Sequence, residues 1–325
     1  TGRHAFFLWQ ELGRLKNLTE ALFKKPLQFR LHLAELGRSG LTSLAGHPNL
    51  QKPLSEGEIV LHQFDIETDS RPTLFQPSLA SLSLPSENPV FIIANYILDS
   101  LSHDVLKVEE GELFRGLTKL SVKGLREGVD PVKMKDLGER IKLTFQYGKE
   151  PVTYAEPLWN AVAEHYRRVR GETYIPFPTS SMRLAQRSRE WSKCATCFLV
   201  ADKSFTTLEQ MVELEEPELV PHGGGFSFNA NLHAFGVMAF ELGGRAFHTT
   251  TRDGTMELSH VIFPAPGTNV DWQLAETQYR CSDLEAFNAI DRFRIKESVD
   301  DQVPKCKLRL CLDLLRLTGF DPQVF

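Results

Sequence analysis

The chain has 325 residues, a formal net charge of −5, 42% hydrophobic and 24% charged residues. This is ordinary globular composition, with enough length for one large α/β domain or two smaller ones. The acidic balance argues against a general nucleic-acid binder or a protein held on anionic membranes, and the longest apolar runs, 89–94 and 197–201, are too short to span a bilayer.

Five cysteines (Cys194, Cys197, Cys281, Cys306, Cys311) are an odd number in a chain too long to need staples. Free thiols in a reducing compartment are expected, and with no signal-peptide pattern the cytoplasm is the default. The chain opens on Thr1 rather than Met, as expected of a processed start or a piece of a longer protein.

In chain order, apolar residues at helical spacing predict a helix over 5–24, ending before Pro26. A strand over 28–34 runs into Glu35-Leu36-Gly37-Arg38-Ser39-Gly40 and then a helix start. A second strand over 59–66 ends at Glu67-Thr68-Asp69-Ser70, and a third over 90–94 ends at Asn95 before a helix over 97–101. Strands alternating with helices, polar at their C-terminal ends, predict a parallel, doubly wound sheet with its ligand at those ends.

Residues 105–125 read as a hairpin about Glu109-Glu110-Gly111. The stretch 126–192 reads as a helical insertion, with helices over 134–143, 158–169 and 180–192. A strand over 197–200 ends at Asp202, and a helix over 232–242 follows. Two β-rich segments, 245–251 and 255–263, are joined by Asp253-Gly254, a strong hairpin signal. Helices near 283–293 and 305–317 close the chain, free to pack on the sheet or to form a homodimer surface. The expected organisation is 1–125 for the N-terminal helix and cofactor half, 126–192 for the insertion, and 193–325 for the rest of the sheet.

Glu35-Leu36-Gly37 at a strand-to-helix turn is the main chemical signal. Glycine allows close approach of backbone to ligand, and the helix N-terminus offers free N–H groups. An acid after the next strand completes a nucleoside pocket, because a carboxylate accepts both ribose hydroxyls; Glu67 is the candidate, with Asp65 and Asp69 in reserve. Dinucleotide and P-loop glycine patterns are absent. Asn95 ends the most apolar strand, where the reacting centre of such sheets lies, although Asn95 and Asp99 also read as helix caps. Cys194-Ala195-Thr196-Cys197 lacks a second ligand pair and reads as structural thiols. His222-Gly223-Gly224-Gly225 resembles a lipase oxyanion loop, but no nucleophile elbow accompanies it, and it reads as a lid-like loop. His233, His248 and His260 read as core or surface residues.

With these pieces placed, the sequence resembles the MidA-like methyltransferases, a group that includes the mitochondrial complex I assembly arginine methyltransferase. Glu35-Leu36-Gly37-Arg38-Ser39-Gly40 looks like the family's E-L-G-P-G-x-G. Residues 94–102 look like its A-N-E-[FL]-x-D-A-x-P, and 230–236 like its V-[ND]-F-x-A-L-G. Ser39 replaces a loop glycine, Tyr96 an acidic residue and Ser102 a proline.

The resemblance implies a Rossmann-like methyltransferase fold, a mostly parallel seven-stranded sheet with a terminal antiparallel hairpin. It implies S-adenosylmethionine as cofactor and methyl transfer to a protein side chain or small molecule. Glu35, Gly37, Gly40, Glu67 and Asn95 are then expected around the cofactor, with Asn95, Asp99 and Asp202 as catalytic candidates and no metal. Two rivals are a catalytically degenerate binding or assembly module and a hydrolase using the His-Gly-Gly-Gly loop.

Overall fold

The computed structural model describes residues 2–75, 84–125, 128–130, 134, 137–217, 220–222, 225–249 and 256–281. The chain divides into two units, Thr1–Glu87 with Arg183–Lys193, and Asn88–Met182 with Cys194–Phe325.

In the first unit, the 3.6-residue spacing of the N-terminal segment forms α1 (Arg3–Phe23). It is followed by β1 (Leu31–Glu35), α2 (Arg38–Ala45), α3 (Gln51–Ser55), β2 (Ile59–Gln63) and β3 (Thr73–Leu74). β1 and β2 pair in parallel and β3 adds antiparallel, giving the order β1-β2-β3. Leu41, Leu44, Leu50, Ile59 and Leu61 are buried together, with Phe6, Trp9, Leu31, Leu33 and Leu54 packed against them. The alternation of β1 supplies Leu31 and Leu33, and the helices cover them. The Trp9 indole N–H donates to Glu58 at 2.7 Å, which holds that carboxyl below the usual range. Beyond β2, Phe64 meets the Trp191 ring edge-on at 5.7 Å. The guanidinium of Arg187 donates to the carbonyls of Ile66 and Asp69.

The second unit runs through β4 (Val90–Asn95), β5 (Asp104–Glu109), β6 (Glu112–Val122), α4 (Leu137–Arg140), β7 (Ile141–Tyr147), α5 (Pro157–Glu164) and β8 (Thr173–Phe177). Helix α6 (Thr179–Ser188) belongs to the first unit from Arg183 onward. Then come β9 (Ala195–Asp202), β10 (Ser204–Phe205), β11 (Val220–His222), β12 (Gly225–Ser227), β13 (Ala230–Asn231), α7 (Leu232–Glu241), β14 (Arg245–His248), β15 (Glu257–Pro264) and α8 (Trp272–Arg280). One sheet has the order β14-β15-β9-β4, in which β4 is parallel to β9 and β15 is antiparallel to both its neighbours. Its core is a triangle of buried rings, Phe198, Phe235 and Phe263, with centroids 5.1–5.8 Å apart and near-perpendicular planes. The other sheet, β7-β6-β5-β8, is antiparallel throughout. Glu110 and Gly111, both at positive φ (50° and 79°), turn the chain between β5 and β6, the backbone a two-residue hairpin needs.

The expected single, mostly parallel seven-stranded Rossmann-like sheet is not what forms. The described strands build sheets of two to four members. Three pairings, β1 with β2, β4 with β9 and β10 with β13, are parallel, and the other seven are antiparallel. The stretch 126–192 is not a helical insertion either. Helix α4 is a single turn, and Ile141, Leu143, Phe145 and Tyr147 alternate as a strand against β6. Period-two alternation there overrides the helix-forming charged residues before it. The helix expected over 97–101 is only a 3-10 turn, Leu98–Ser100. The antiparallel pairing of β14 and β15 agrees with the hairpin expectation, whereas the Asp253-Gly254 turn, Cys306, Cys311 and the two C-terminal helical stretches lie outside the described residues.

The corner after α7 leaves no room for a side chain. Gly243 turns at φ +80°, and a Cβ on Gly244 would fall 2.0 Å from the Ile262 carbonyl oxygen. Gly244→Ala is expected to lower stability by about 3 kcal/mol, as overpacking against backbone does. Gly243→Ala should cost only about 1 kcal/mol. Urea midpoints at unchanged m-value measure both.

Candidate functional site

The residues expected to form one pocket are divided between the units. Glu35, Gly37, Gly40 and Glu67 fall in the first, and Asn95, Asp99 and Asp202 in the second.

In the first unit, β1 ends at Glu35 and Gly37 is the N-cap residue of α2. The Glu35 carboxylate folds back over its own turn, accepting from the Leu36 N–H at 3.0 Å and the Gly37 N–H at 3.4 Å. A Cβ on Gly40 would stand 3.0 Å from Glu35 Cγ, so the absence of a side chain there gives the carboxylate its place. Gly37 sits at φ −91°, a conformation open to any residue, and a Cβ there would meet nothing closer than 3.8 Å. Its role is therefore to keep the approach to the helix end open, not to relieve strain. Directly across the pairing register from Glu35 stands Gln63, whose amide donates to the Leu36 carbonyl at 3.3 Å. The turn is thus braced from both strands, and the first-turn N–H groups of α2 lack intrahelical acceptors, as at any helix start.

Glu67 lies in a turn beyond the end of β2. The reserve acids close that turn: Asp65 Oδ1 accepts from the Glu67 N–H at 2.8 Å, and Asp69 Oδ2 from the Asp65 N–H at 2.7 Å. The bond from the Glu67 N–H foremost, then one from the Thr68 side chain, holds the Asp65 carboxyl below its ordinary range. The Arg187 guanidinium sits amid the charges of Asp65, Glu67 and Asp69.

The first unit also brings together His32 and His62, on neighbouring strands, with Nδ1 and Nε2 2.8 Å apart. Burial first, then the facing ring, hold His32 down at about 4.

In the second unit, Asn95 is the exposed last residue of β4, opposite Ala201. It does not cap a helix. Asp202, at the end of β9, does the capping instead: its Oδ2 accepts from the N–H groups of Leu98 (2.9 Å) and Asp99 (3.2 Å), and its Oδ1 from that of Lys203 (2.9 Å). Asp202 is fully buried and Asp99 nearly so. Burial, with the Asp99 charge behind it, raises the Asp202 carboxyl to about 6. Asp99 Oδ1 accepts from the Ser100 hydroxyl at 2.9 Å. Between them Tyr96 adopts φ +53° and its hydroxyl donates to Met256 Sδ at 3.6 Å. The raised value of Asp202 is a catalytic trait, yet its bonding is that of a structural clamp.

Cys197 is buried in β9, where burial raises its thiol to about 11, in keeping with a structural thiol. His222 and Gly225 pair across a two-stranded ribbon. A cluster that sequence reasoning missed centres on buried Tyr166. Its hydroxyl lies 3.0 Å from His233 Nδ1 and bonds the side chain of Asn231, which also caps α7 and donates to the Pro176 carbonyl at 3.0 Å. Burial lowers His233, His248 (to about 4) and His260. The only advance signal was Asn231 ahead of an apolar helical run, a capping pattern.

Among the described residues no group of three or more His, Cys, Asp or Glu side chains is arranged to hold a metal, and no helix is long and apolar enough to cross a membrane. No known family model matches the chain, and no curated protein matches it.

Asp202→Asn should lower stability by about 1–3 kcal/mol, because an amide NH2 must then face a backbone donor; urea unfolding at neutral pH checks it. Five histidines, His32, His62, His233, His248 and His260, make a second prediction. Their folded values are depressed, so the unfolded chain takes up more protons below 6.5. Stability is then full above that pH and falls as pH drops toward 4. Asp202 opposes this between about 6 and 3.8, where its folded form holds the extra proton. Unfolding midpoints followed from pH 7.5 to 4.5 should therefore fall with acid, and more steeply in Asp202→Asn.

Proposed function

We propose that the chain binds S-adenosylmethionine at the β1–α2 turn of the first unit and transfers its methyl group to an acceptor, a protein side chain being the favoured class. The observation that carries this reading is the Glu35 turn. Its carboxylate sits over a glycine on α2, braces two loop N–H groups, and leaves the helix start open to a polar ligand. The resemblance of 35–40, 94–102 and 230–236 to the MidA-like motifs supports it.

The residues fit such a cofactor. Glu67 follows the second strand, where an acid can meet ribose hydroxyls, and the helix start can take the carboxylate end. When bound, the cofactor supplies an already activated methyl group, so the protein's work is alignment and exclusion of water. In this reading Glu35 orients the loop, Gly37 and Gly40 keep it clear, and Arg187 fixes the turn that presents Glu67. In the second unit Asn95 is the exposed polar side chain at a strand end, Asp99 orients, and Asp202 is the group whose raised value suits proton acceptance near neutrality. The free thiols and ordinary acidic surface go with a cytoplasmic protein.

One observation favours the second reading, a catalytically silent binding or assembly module. The Asp202 oxygens already hold three backbone N–H groups, which leaves a base little freedom.

Calorimetry with S-adenosylmethionine tests both. Saturable binding is expected, weakened about tenfold in Glu35→Ala by loss of the charged brace, and comparably in Gly40→Val, whose side chain displaces Glu35. Absence of binding at millimolar cofactor overturns the proposal, and binding without turnover on any acceptor selects the module.

A further inference from the structure

A cleft of about 290 Å³ in the second unit is lined by Tyr174, Pro176, Phe205, Leu214, Glu215, Pro217, Phe228 and Asn229. None of the residues discussed above as cofactor or catalytic candidates lines it. Three aromatic rings, three other apolar side chains, one carboxylate and one amide form its wall. Aromatic faces carry negative electrostatic potential, so such walls attract cations that shed water easily.

The surroundings reinforce that sign. The Tyr174 hydroxyl donates to Glu172 at 2.6 Å, which raises the phenol to about 12 and leaves the ring electron-rich. Tyr147, whose ring centroid lies 5.5 Å from that of Tyr174, faces the charge of Glu216. Lys107 is the nearby cation, and its ammonium is offset by two carboxylates, Glu109 at 3.2 Å and Glu172 at 3.1 Å.

The wall is also held in place before any ligand arrives. The Thr173 hydroxyl donates to the Met211 carbonyl at 2.6 Å and accepts from the Leu214 N–H at 2.9 Å, fixing the 211–214 segment to β8. The Phe228 N–H donates to the Asp99 carbonyl at 2.9 Å, fixing the facing side. A preformed wall lowers the ordering cost of binding.

We propose that this cleft is a binding site for an alkylated ammonium group, either a free trimethylammonium compound or a methylated lysine side chain. A guanidinium wants a planar pair of acceptors for its N–H fork, whereas here Pro176, Leu214 and Pro217 offer contacts to methyl groups and Glu215 a charge at the exposed rim. The site stands independently of the methyl-transfer reading.

The test is titration of the intact chain, by NMR or calorimetry, with tetramethylammonium, choline, the neutral carbon isostere 3,3-dimethylbutan-1-ol and guanidinium. Choline is expected to bind at least about tenfold more tightly than its neutral isostere, the size of a partly desolvated cation–π contribution. Phe205→Leu keeps bulk but removes a ring, and should weaken choline several-fold. Glu215→Gln, an exposed change that leaves the fold alone, should weaken it less and make the remaining affinity less sensitive to salt. A trimethyllysine peptide beside free choline tells which source is preferred. Equal affinity for the neutral isostere, tighter binding of guanidinium, or no saturable binding of choline overturns the proposal.

Discussion

The second unit depends on one buried carboxylate. Asp202 ends β9 and gathers the N–H groups of Leu98, Asp99 and Lys203, so a single side chain fixes how the chain leaves two adjacent parallel strands. Parallel strands must each turn away at the same edge, and every turn there exposes backbone donors that burial would leave unsatisfied. A carboxylate can accept several at once, where a hydroxyl or amide would leave one orphaned. The cost is a buried charge beside Asp99, visible in the raised value of Asp202. That charge is sustained because its bonding is complete.

Much of the local structure could be read from the chain. Helices α1, α5 and α7, strands β1, β2, β4 and β9, and the turn at Glu110-Gly111 follow from periodicity and turn chemistry. Their partners did not follow. The apolar run Ile59-Val60-Leu61 says that a strand is buried, not that its neighbours are β1 and β3. Four apolar positions in 141–147 alternate, but the lysines and glutamates preceding them carry a helical composition that masks the strand. Tertiary pairing with β6 decides the matter, because a strand's worth lies in its cross-strand contacts.

The candidate site shows the same division. Glu35, Gly37 and Gly40 were legible because the turn that joins a strand to a helix is local, and the brace from Glu35 spans only two residues. Asp99 and Asp202 could be named as polar strand ends, but their shared task joins residues more than a hundred positions apart. Their roles as receiver and capped turn appear only when β4 and β9 are side by side. Tyr166, Asn231 and His233 escaped for that reason too. Tyr166 sits in no motif, the motif-like stretch 230–236 gives Asn231 and His233 no shared task, and their contact depends on α7 packing over the segment after α5.

The first unit is assembled from two separated stretches of chain. Residues 1–87 supply its sheet and three helices, yet Phe64 at the end of β2 receives its aromatic cover from Trp191, and the acidic turn receives its cation from Arg187. During synthesis the ribosome must deliver 100 further residues before Arg187 exists and 104 before Trp191 does. Until then the nascent sheet carries an uncovered aromatic and three mutually repelling carboxylates. The second unit grows between the two halves of the first, so the first cannot finish until most of its neighbour's early strands have been made.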